Sequence, residues 1–292
     1  MNERINYMYY GLDIPNIGAF SDARALADLA RTAEDAGWDG IFLWDTLHYL
    51  AENKPVADAW IALTAVAMKT ERIKIGLQVA VPARRRPAKL AREIVTLDRL
   101  SNGRLILGVG LGTNEDKGFG AFGEEMEVKK RAKILDESLD VLQGLWSGKP
   151  FSYTGERHQV KEITFLPTAM RTSGVPIWIG WLWPKKKPME RAMRFEGASP
   201  QRFVDNEFGE LGPGDIRQLK AYMEERRAPG APFDIVVGGP VFEAVRNEKA
   251  RATLLAVQEA GATWALQRVE PEDEIATIRE AIKQGPPKLQ GA

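Results

Sequence analysis

Three glycines at alternate positions follow an apolar run in Leu105–Asn114, which reads LILGVGLGTN. Glycine-rich turns can bind nucleotide phosphates, because a backbone without side chains comes close to a ligand. The dinucleotide fingerprint, however, needs G-x-G-x-x-G opening a helix after the first strand, whereas Gly108, Gly110 and Gly112 follow the fourth predicted strand. No Gly-Lys-Ser/Thr follows either, which excludes a P-loop. Two interpretations remain: the glycines admit a flat ligand, or they relieve crowding between strands.

Composition excludes several kinds of chemistry. The chain has 292 residues, no cysteine and two histidines, His48 and His158. Disulfides, thiolate nucleophiles, cysteine-ligated zinc and multi-histidine metal sites are therefore ruled out, and we expect no metal. Lysine plus arginine and aspartate plus glutamate number 40 each. This zero net charge gives no reason to expect a nucleic acid or a membrane as partner.

The beginning of the sequence lacks the pattern of a signal peptide. No apolar run approaches the ~20 residues that a membrane-spanning helix needs. The sequence therefore predicts a cytoplasmic location.

Strand and helix patterns alternate along the chain. Eight segments rich in β-branched and aromatic residues are predicted as strands, each followed by a helix with apolar residues at helical spacing. The predicted strands are Ile5–Leu12, Gly40–Trp44, Ile73–Val81, Arg104–Val109, Pro176–Gly180, Gly197–Ser199, Phe233–Val237 and Ala262–Val269. The predicted helices are one capped by Ser21 and ended by Gly37, then Ala57–Met68, Pro87–Leu100, Val128–Trp146, Met189–Phe195, Pro213–Arg227, Val241–Ala260 and Glu272–Lys283.

This order predicts the α/β class and a single (β/α)8 TIM barrel over residues 1–284, with a small β-hairpin inserted at Phe151–Lys161 and a flexible tail at residues 285–292. An open doubly wound sheet is the alternative. In a barrel the active site lies at the C-terminal ends of the strands. The residues in those positions are Asp13, Asp45–His48, Gln78–Pro82, Gly108–Asn114, Gly180–Trp183, Ser199–Gln201, Gly238–Gly239 and Gln267–Arg268.

Nearly the whole chain resembles the luciferase-like monooxygenase superfamily, whose members are flavin- and deazaflavin-dependent (β/α)8 enzymes. The most specific block is Arg84–Gly112, RRRPAKLAREIVTLDRLSNGRLILGVGLG. Ala33–Asp45 is similar to the family's first helix and second strand, Phe122–His158 to its fourth helix and side hairpin, and Val175–Gly180 to its fifth strand. The resemblance favours the barrel over the open sheet.

The resemblance implies a cofactor ring in the barrel mouth against the third strand, where many members have a non-proline cis peptide. It also places the cofactor phosphate near the loop after the fifth strand. The cofactor-binding residues that it implies are Gln78, Val79, Ala80, Gly110, Gly112, Thr113, Gly180 and Trp181.

The chain departs from the family pattern after the second strand. Relatives often read W-D-H-L there, with the histidine as acid/base or hydrogen-bond donor, whereas this chain reads WDTLH from Trp44 to His48. Thr46 holds the matching place, and a hydroxyl cannot carry a proton at neutral pH as imidazole can. The resemblance therefore implies Asp45, Thr46 and His48 as catalytic residues, with His48 either reaching the histidine's place or being an ordinary loop residue.

A second departure follows the fifth strand, where relatives usually end in W-x-G-G and this chain has Trp178-Ile-Gly180-Trp181. The indole of Trp181 either narrows the phosphate site or stacks on the ring. The run Lys185–Lys187 either supplies charge to a phosphate or an acidic cofactor tail, or is a solvated helix start.

The resemblance implies an oxidoreductase in which reduced FMN and O2 act on a small organic substrate. F420-dependent hydride transfer is one alternative, and a barrel that binds a flavin or small molecule without turnover is another. A homodimer packed through early barrel helices is also implied. A flavin reductase would be a further partner if FMN must arrive reduced.

Overall fold

The computed structural model describes residues 7–49, 53–113, 117–204 and 207–289. Eight parallel strands form a closed barrel. Each barrel strand pairs with the next barrel strand along the chain, and the eighth pairs with the first. The predicted (β/α)8 fold is thereby confirmed, because an open sheet would leave two edges unpaired. The barrel strands are β1 (Tyr9–Ile14), β2 (Gly40–Leu43), β3 (Lys74–Ala80), β4 (Leu105–Val109), β7 (Ile177–Leu182), β8 (Gly197–Val204), β10 (Asp234–Gly238) and β11 (Trp264–Arg268).

Helices cover the outside of the barrel, with their apolar faces on the strands. Pro87 occupies the first turn of the third helix, where its missing N–H costs nothing. The α-helices in the described residues are α1 (Ala23–Asp35), α2 (Ala59–Lys69), α3 (Pro87–Leu100), α4 (Val128–Trp146), α5 (Lys186–Ala192), α6 (Pro213–Glu224), α7 (Val241–Ala244), α8 (Glu248–Ala260) and α9 (Ile275–Lys283). None of these helices is long and apolar enough to cross a membrane.

Two antiparallel hairpins are added to the barrel. The predicted side hairpin is present as β5 (Phe151–Thr154) paired with β6 (Gln159–Ile163). A second hairpin was not predicted: β8 runs beyond Ser199 to Val204 and is followed by the antiparallel strand β9 (Glu207–Gly209). This second hairpin lies at the C-terminal end of the barrel, where it brings Glu210 to the mouth.

Several helix ends differ from the prediction by two or three residues, as at α5 and α9, and two differences have a clear cause in side-chain capping. Asp22, not Ser21, caps α1, because the Ser21 hydroxyl donates to the carbonyl of Gly18 while the Asp22 carboxylate accepts from the N–H of Arg24. The single helix predicted over Val241–Ala260 is two helices, since the side chain of Asn247 caps α8.

Large aromatic side chains fill the interior of the barrel. Phe42, Trp178 and Trp264 are buried against one another, with ring centroids 5.0–5.8 Å apart. A Cβ on Gly40 would lie 2.8 Å from the Phe42 ring, and one on Gly197 would lie 2.3 Å from Trp178. Glycine on the strands therefore makes room for these rings, which close the lower barrel and leave its C-terminal end as the open one.

Residues 285–289 pack against the barrel. Pro287 is buried, and Leu289 contacts the hydrophobic core. The rest of the predicted flexible tail, residues 290–292, lies outside the described residues.

Candidate functional site

A small recess of about 20 Å³, room for about one water molecule, opens at the C-terminal ends of the barrel strands. This mouth cavity combines two carboxyl groups, a guanidinium, amides and a hydroxyl with three apolar residues. A small number of polar groups in a partly apolar recess is the usual make-up of a small-molecule site. Its lining residues are Asp13, Gln78, Ser199, Pro200, Gln201, Glu210, Val237, Gly238, Leu266 and Arg268.

Asp13, near the end of β1, is 7% exposed. Its Oδ1 accepts a hydrogen bond of 3.0 Å from Nε1 of Trp44. Burial raises the pKa of Asp13 to about 7, although Arg268 and the Trp44 hydrogen bond oppose this rise. Asp13 therefore changes charge near neutral pH, the range in which general acid/base groups operate.

Glu210 and Arg268 supply the other charges of the cavity. The Glu210 carboxylate accepts a hydrogen bond of 2.7 Å from the N–H of Gly238. Glu210 is exposed as a residue, but protein atoms surround its carboxyl group, and this burial raises its pKa. The Arg268 guanidinium lies 4.9 Å from the Trp44 ring and pairs with Glu270 at 2.8 Å. Arg268 is thus shared between the cavity and the surface.

The third strand borders the cavity through Gln78, and the peptide bond between Gln78 and Val79 is cis. Nε2 of Gln78 donates to Oγ of Ser199 on β8. Oε1 of Gln78 is buried, and no donor in the described residues reaches it. The amide nitrogen of Gln78 is therefore held by Ser199, and the amide oxygen can accept a hydrogen bond from another donor.

The glycines of β4 and β7 pack around this peptide. Added Cβ atoms on Gly110 and Gly180 would lie 2.7 and 2.9 Å from the side chain of Val79. Gly112 has a φ of +67°, and its Cβ would meet the ring of Phe119 at 2.8 Å. Of the two interpretations of the glycine motif, relief of crowding is the one that this geometry supports.

Gly108 gives a direct test of this packing. A Cβ there would lie 2.3 Å from the carbonyl oxygen of Leu77, a backbone atom that cannot rotate away. We expect Gly108→Ala to lower the free energy of unfolding by about 1–3 kcal/mol, measured by urea denaturation. Gly214→Ala is the matched control, because nothing lies within 4 Å of a Cβ at Gly214. Equal stability of the two variants would contradict the crowding interpretation.

The three residues implied as catalytic lie in the loop after β2. The Asp45 carboxylate is 8% exposed and is paired with Arg85, whose Nη2 lies 2.6 Å from Oδ1. Burial raises the pKa of Asp45, and Arg85 opposes that rise. The second oxygen of Asp45 accepts from the N–H of Val81. Asp45 is thus engaged in joining two loops, and a catalytic role for it stays a prediction.

Thr46 and His48 do not line the mouth cavity. The Thr46 carbonyl accepts a hydrogen bond of 3.0 Å from the buried side chain of Asn16. Nδ1 of His48 is buried, and no partner for it exists within the described residues. The structure therefore holds this loop in place, and within the described ranges one imidazole nitrogen has no hydrogen-bond partner.

The residues implied around the cofactor occupy different environments. Ala80 is fully buried, and its carbonyl accepts from the N–H of Gly110. Trp181 packs in the hydrophobic core at 9% exposure, and its Nε1 has no partner in the described residues. Thr113 is exposed, and Lys185–Lys187 are exposed around the start of the seven-residue helix α5.

Sequence reasoning therefore located part of the cavity. Barrel logic named Asp13, Ser199–Gln201 and Arg268 as rim residues, and the resemblance named Gln78. Glu210 was missed because the sixth strand was ended at Ser199. The signal was present: two turn-forming residues separate Phe203-Val204 from Glu207-Phe208, which is the pattern of a hairpin with a two-residue loop.

Comparison with known proteins gives consistent results. The F420-dependent glucose-6-phosphate dehydrogenase of Nocardia farcinica is 33% identical over 161 residues, which are 53% of this chain and 47% of that protein. This chain thus spans about half the length of that curated relative. An F420-dependent secondary alcohol dehydrogenase in complex with an F420-acetone adduct superposes with a TM-score of 0.75 at 18% identity, covering 95% of this chain and 98% of the other.

A second solved structure with this fold is the oxygenating constituent of 3,6-diketocamphane monooxygenase from Pseudomonas putida, in complex with FMN. It superposes with a TM-score of 0.72 at 16% identity and covers 95% of this chain and 96% of the other. The family model for luciferase-like monooxygenases matches residues 13–288. That span includes every barrel strand in part or whole, and the chain belongs to the luciferase-like monooxygenase family.

Proposed function

We propose that this oxidoreductase uses F420 and transfers a hydride between the cofactor and a small substrate such as an alcohol. The observation that carries the proposal is the mouth cavity, bordered at β3 by Gln78 next to a cis peptide. The F420-dependent relative at 33% identity supports the choice of cofactor. FMN-dependent monooxygenation is the second candidate, favoured by the family model itself and by the FMN-bound Pseudomonas putida structure.

The residues around the mouth fit a flat ligand with polar edges. Gln78 lines the cavity and has a buried amide oxygen without a partner in the described residues. His48 and Trp181 lie near the same end of the barrel, outside the cavity lining, and each has a buried ring nitrogen without such a partner. Such atoms are normally satisfied, so they indicate a missing ligand or water. The recess of about 20 Å³ has room for one water or hydroxyl group, so a ring would lie over its opening and not inside it.

The bound cofactor supplies the hydride chemistry, and the chain supplies position and a sheltered pocket. Gln78, held by Ser199, presents a hydrogen-bond acceptor at a fixed place. A water-poor site strengthens each polar contact with the ligand.

A fluorescence titration with F420 and, separately, with FMN tests the proposal. We expect F420 to bind the purified protein and quench its tryptophans, and Gln78→Ala to weaken binding by about tenfold through loss of one buried hydrogen bond. Tight binding of FMN alone would replace the proposal with the second candidate. Binding of neither by a folded sample would overturn both, and binding without turnover of any alcohol would favour a non-catalytic barrel.

We also propose a homodimer that packs through α2 and α3. Ile61 and Met68 on α2 are 67% and 69% exposed, and Leu100 at the end of α3 is 41% exposed. An open depression of about 350 Å³ lies between these helices, and Ile61 and Leu100 line it. Exposed apolar side chains next to a groove are typical of a protein–protein interface.

Introduction of charge on this face tests the dimer. We expect the double variant Ile61→Lys/Met68→Lys to run as a monomer in light scattering after gel filtration, whereas the wild type runs as a dimer. Met170→Lys is the matched control, because Met170 is a 48% exposed methionine outside this face. A monomeric wild type would overturn the proposal.

A cytoplasmic location and, under the FMN alternative, a flavin reductase partner remain predictions.

A further inference from the structure

The mouth cavity contains a carboxyl group placed as a proton acceptor should be. Asp13 is only 7% exposed, yet its side chain lines the cavity. The Trp44 N–H fixes Oδ1, and no hydrogen-bond donor in the described part of the chain reaches Oδ2. One oxygen of Asp13 is thus anchored, and the other is free for a ligand.

The charges around Asp13 come from three elements. Arg268 at the end of β11 favours the ionised form of Asp13, and Glu210 after β9 and Glu270 after β11 oppose it. Glu210 is held in place by Gly238, where a Cβ would lie 2.1 Å from its Oε1. Burial is the main cause that raises the pKa of Asp13, Arg268 and the Trp44 hydrogen bond lower it, and the two carboxylates add smaller rises.

We propose that Asp13 is the proton-transfer residue of this site and takes the place of the imidazole that the loop after β2 lacks. The inference rests on the proposed function. The hydroxyl O–H bond of an alcohol breaks, and its proton bonds to Oδ2 of Asp13. The electron pair left on oxygen forms the carbonyl as the neighbouring carbon loses a hydride, so the alcohol is oxidised and the oxidised deazaflavin is reduced.

The first test counts protons and needs no substrate. F420 is bound to the wild type at pH 7 by titration calorimetry in two buffers of different ionisation enthalpy. A flat ring over the cavity removes water from Asp13 and further disfavours its charge, so we expect uptake of up to about half a proton per F420. Asp13→Asn keeps the acceptor for Trp44 and cannot titrate, so this uptake should vanish.

Two further variants separate proton transfer from a structural role. Glu210→Gln removes the like charge and should move the pH at which proton uptake is greatest to lower values. Asp39→Asn is the matched control: Asp39 is a partly buried carboxyl next to the start of β2, at the opposite end of the barrel, and its replacement should leave the uptake unchanged. The response to Glu210 tests the charge coupling at Asp13, and the rates of Asp13→Asn below test proton transfer itself.

The outcomes are distinguishable. Binding of F420 with equal proton uptake by the wild type and Asp13→Asn overturns the inference and leaves the proposed function standing. No binding of F420 overturns the proposed function and the inference with it. With 2-propanol as the probe substrate, oxidation by the wild type should exceed that by Asp13→Asn by about 10²–10⁴-fold in kcat/KM. Equal rates would also contradict the proposal.

Discussion

Replacement of Arg85 by methionine should lower the free energy of unfolding at pH 7 by about 3–5 kcal/mol, because it leaves the buried Asp45 carboxylate without its counter-charge. Nη2 of Arg85 lies 2.6 Å from Oδ1 of Asp45, and the Asp45 side chain is 5% exposed. Burial already raises the pKa of Asp45, and Arg85 is the main group that opposes this rise. Methionine fills similar space but supplies no charge, so urea denaturation measures the loss of the pair.

Two variants show whether the pair itself is responsible. Arg86→Met replaces the exposed neighbouring arginine and should change stability by no more than about 0.5 kcal/mol. The double variant Arg85→Met/Asp45→Leu removes both charges and should recover most of the loss, since an apolar pair of similar volume can replace a buried ion pair. A double variant as unstable as Arg85→Met alone would show that Arg85 acts through other contacts.

The same substitution has a functional consequence. Asp45 follows β2, and Arg84, Arg85 and Val81 follow β3, so their contacts join the two loops that flank the third strand. Loosening this junction should weaken F420 or FMN binding in Arg85→Met but not in Arg86→Met. Two of the three consecutive arginines, Arg84 and Arg85, thus position the barrel rim through Asp45.

The barrel was predictable because its strands are short apolar runs separated by helical patterns. The run from Gly40 to Trp44 and the observed β2 differ by one residue, since every side chain of this strand is buried and the pattern is continuous. The second hairpin was not predictable by the same rule. Its residues beyond Ser199 mix polar and apolar side chains, and Arg202–Val204 extend past the pairing with β7, where no core imposes a continuous apolar run.

The site was predictable as a rim but not as a set of contacts. Strand order places Asp13 and Arg268 at the same end of the barrel, because β1 pairs with β11 in parallel and these two residues are partners in register. The sequence does not show that Asp45 meets Arg85, forty positions later, rather than a ligand. Which of several rim carboxyls faces the cavity depends on side-chain directions that only the folded chain defines.

The second large effect concerns Asp13 and pH. Asp13→Asn should raise the free energy of unfolding at pH 8 and leave it unchanged below pH 4. The variant should thus be more stable than the wild type at pH 8, even though it removes a carboxyl of the candidate site. The pKa of Asp13 is about 7 in the folded protein against an ordinary value of 3.8. Between these values the unfolded chain has released the proton and the folded chain retains it, so wild-type stability falls as pH rises.

The full shift corresponds to at most about 4 kcal/mol, reached once the pH exceeds the folded pKa. Asparagine accepts the same hydrogen bond from Trp44 and has no charge to desolvate, so the gain of the variant should grow from pH 4 to pH 7 and then level off. Urea denaturation at four pH values from 4 to 8.5 measures this difference.

Asp28→Asn, at an exposed carboxyl paired only with Lys69 at the surface, is the control and should stay within about 0.5 kcal/mol of wild type at every pH. A gain for Asp13→Asn that did not depend on pH would mean that packing, not ionisation, distinguishes the two side chains. A gain that follows the expected curve would show that the fold holds a carboxyl where its charge is destabilising. Residues that lower stability in this way are typical of functional sites, because a proton acceptor with a pKa near 7 requires the burial that makes its charge unfavourable.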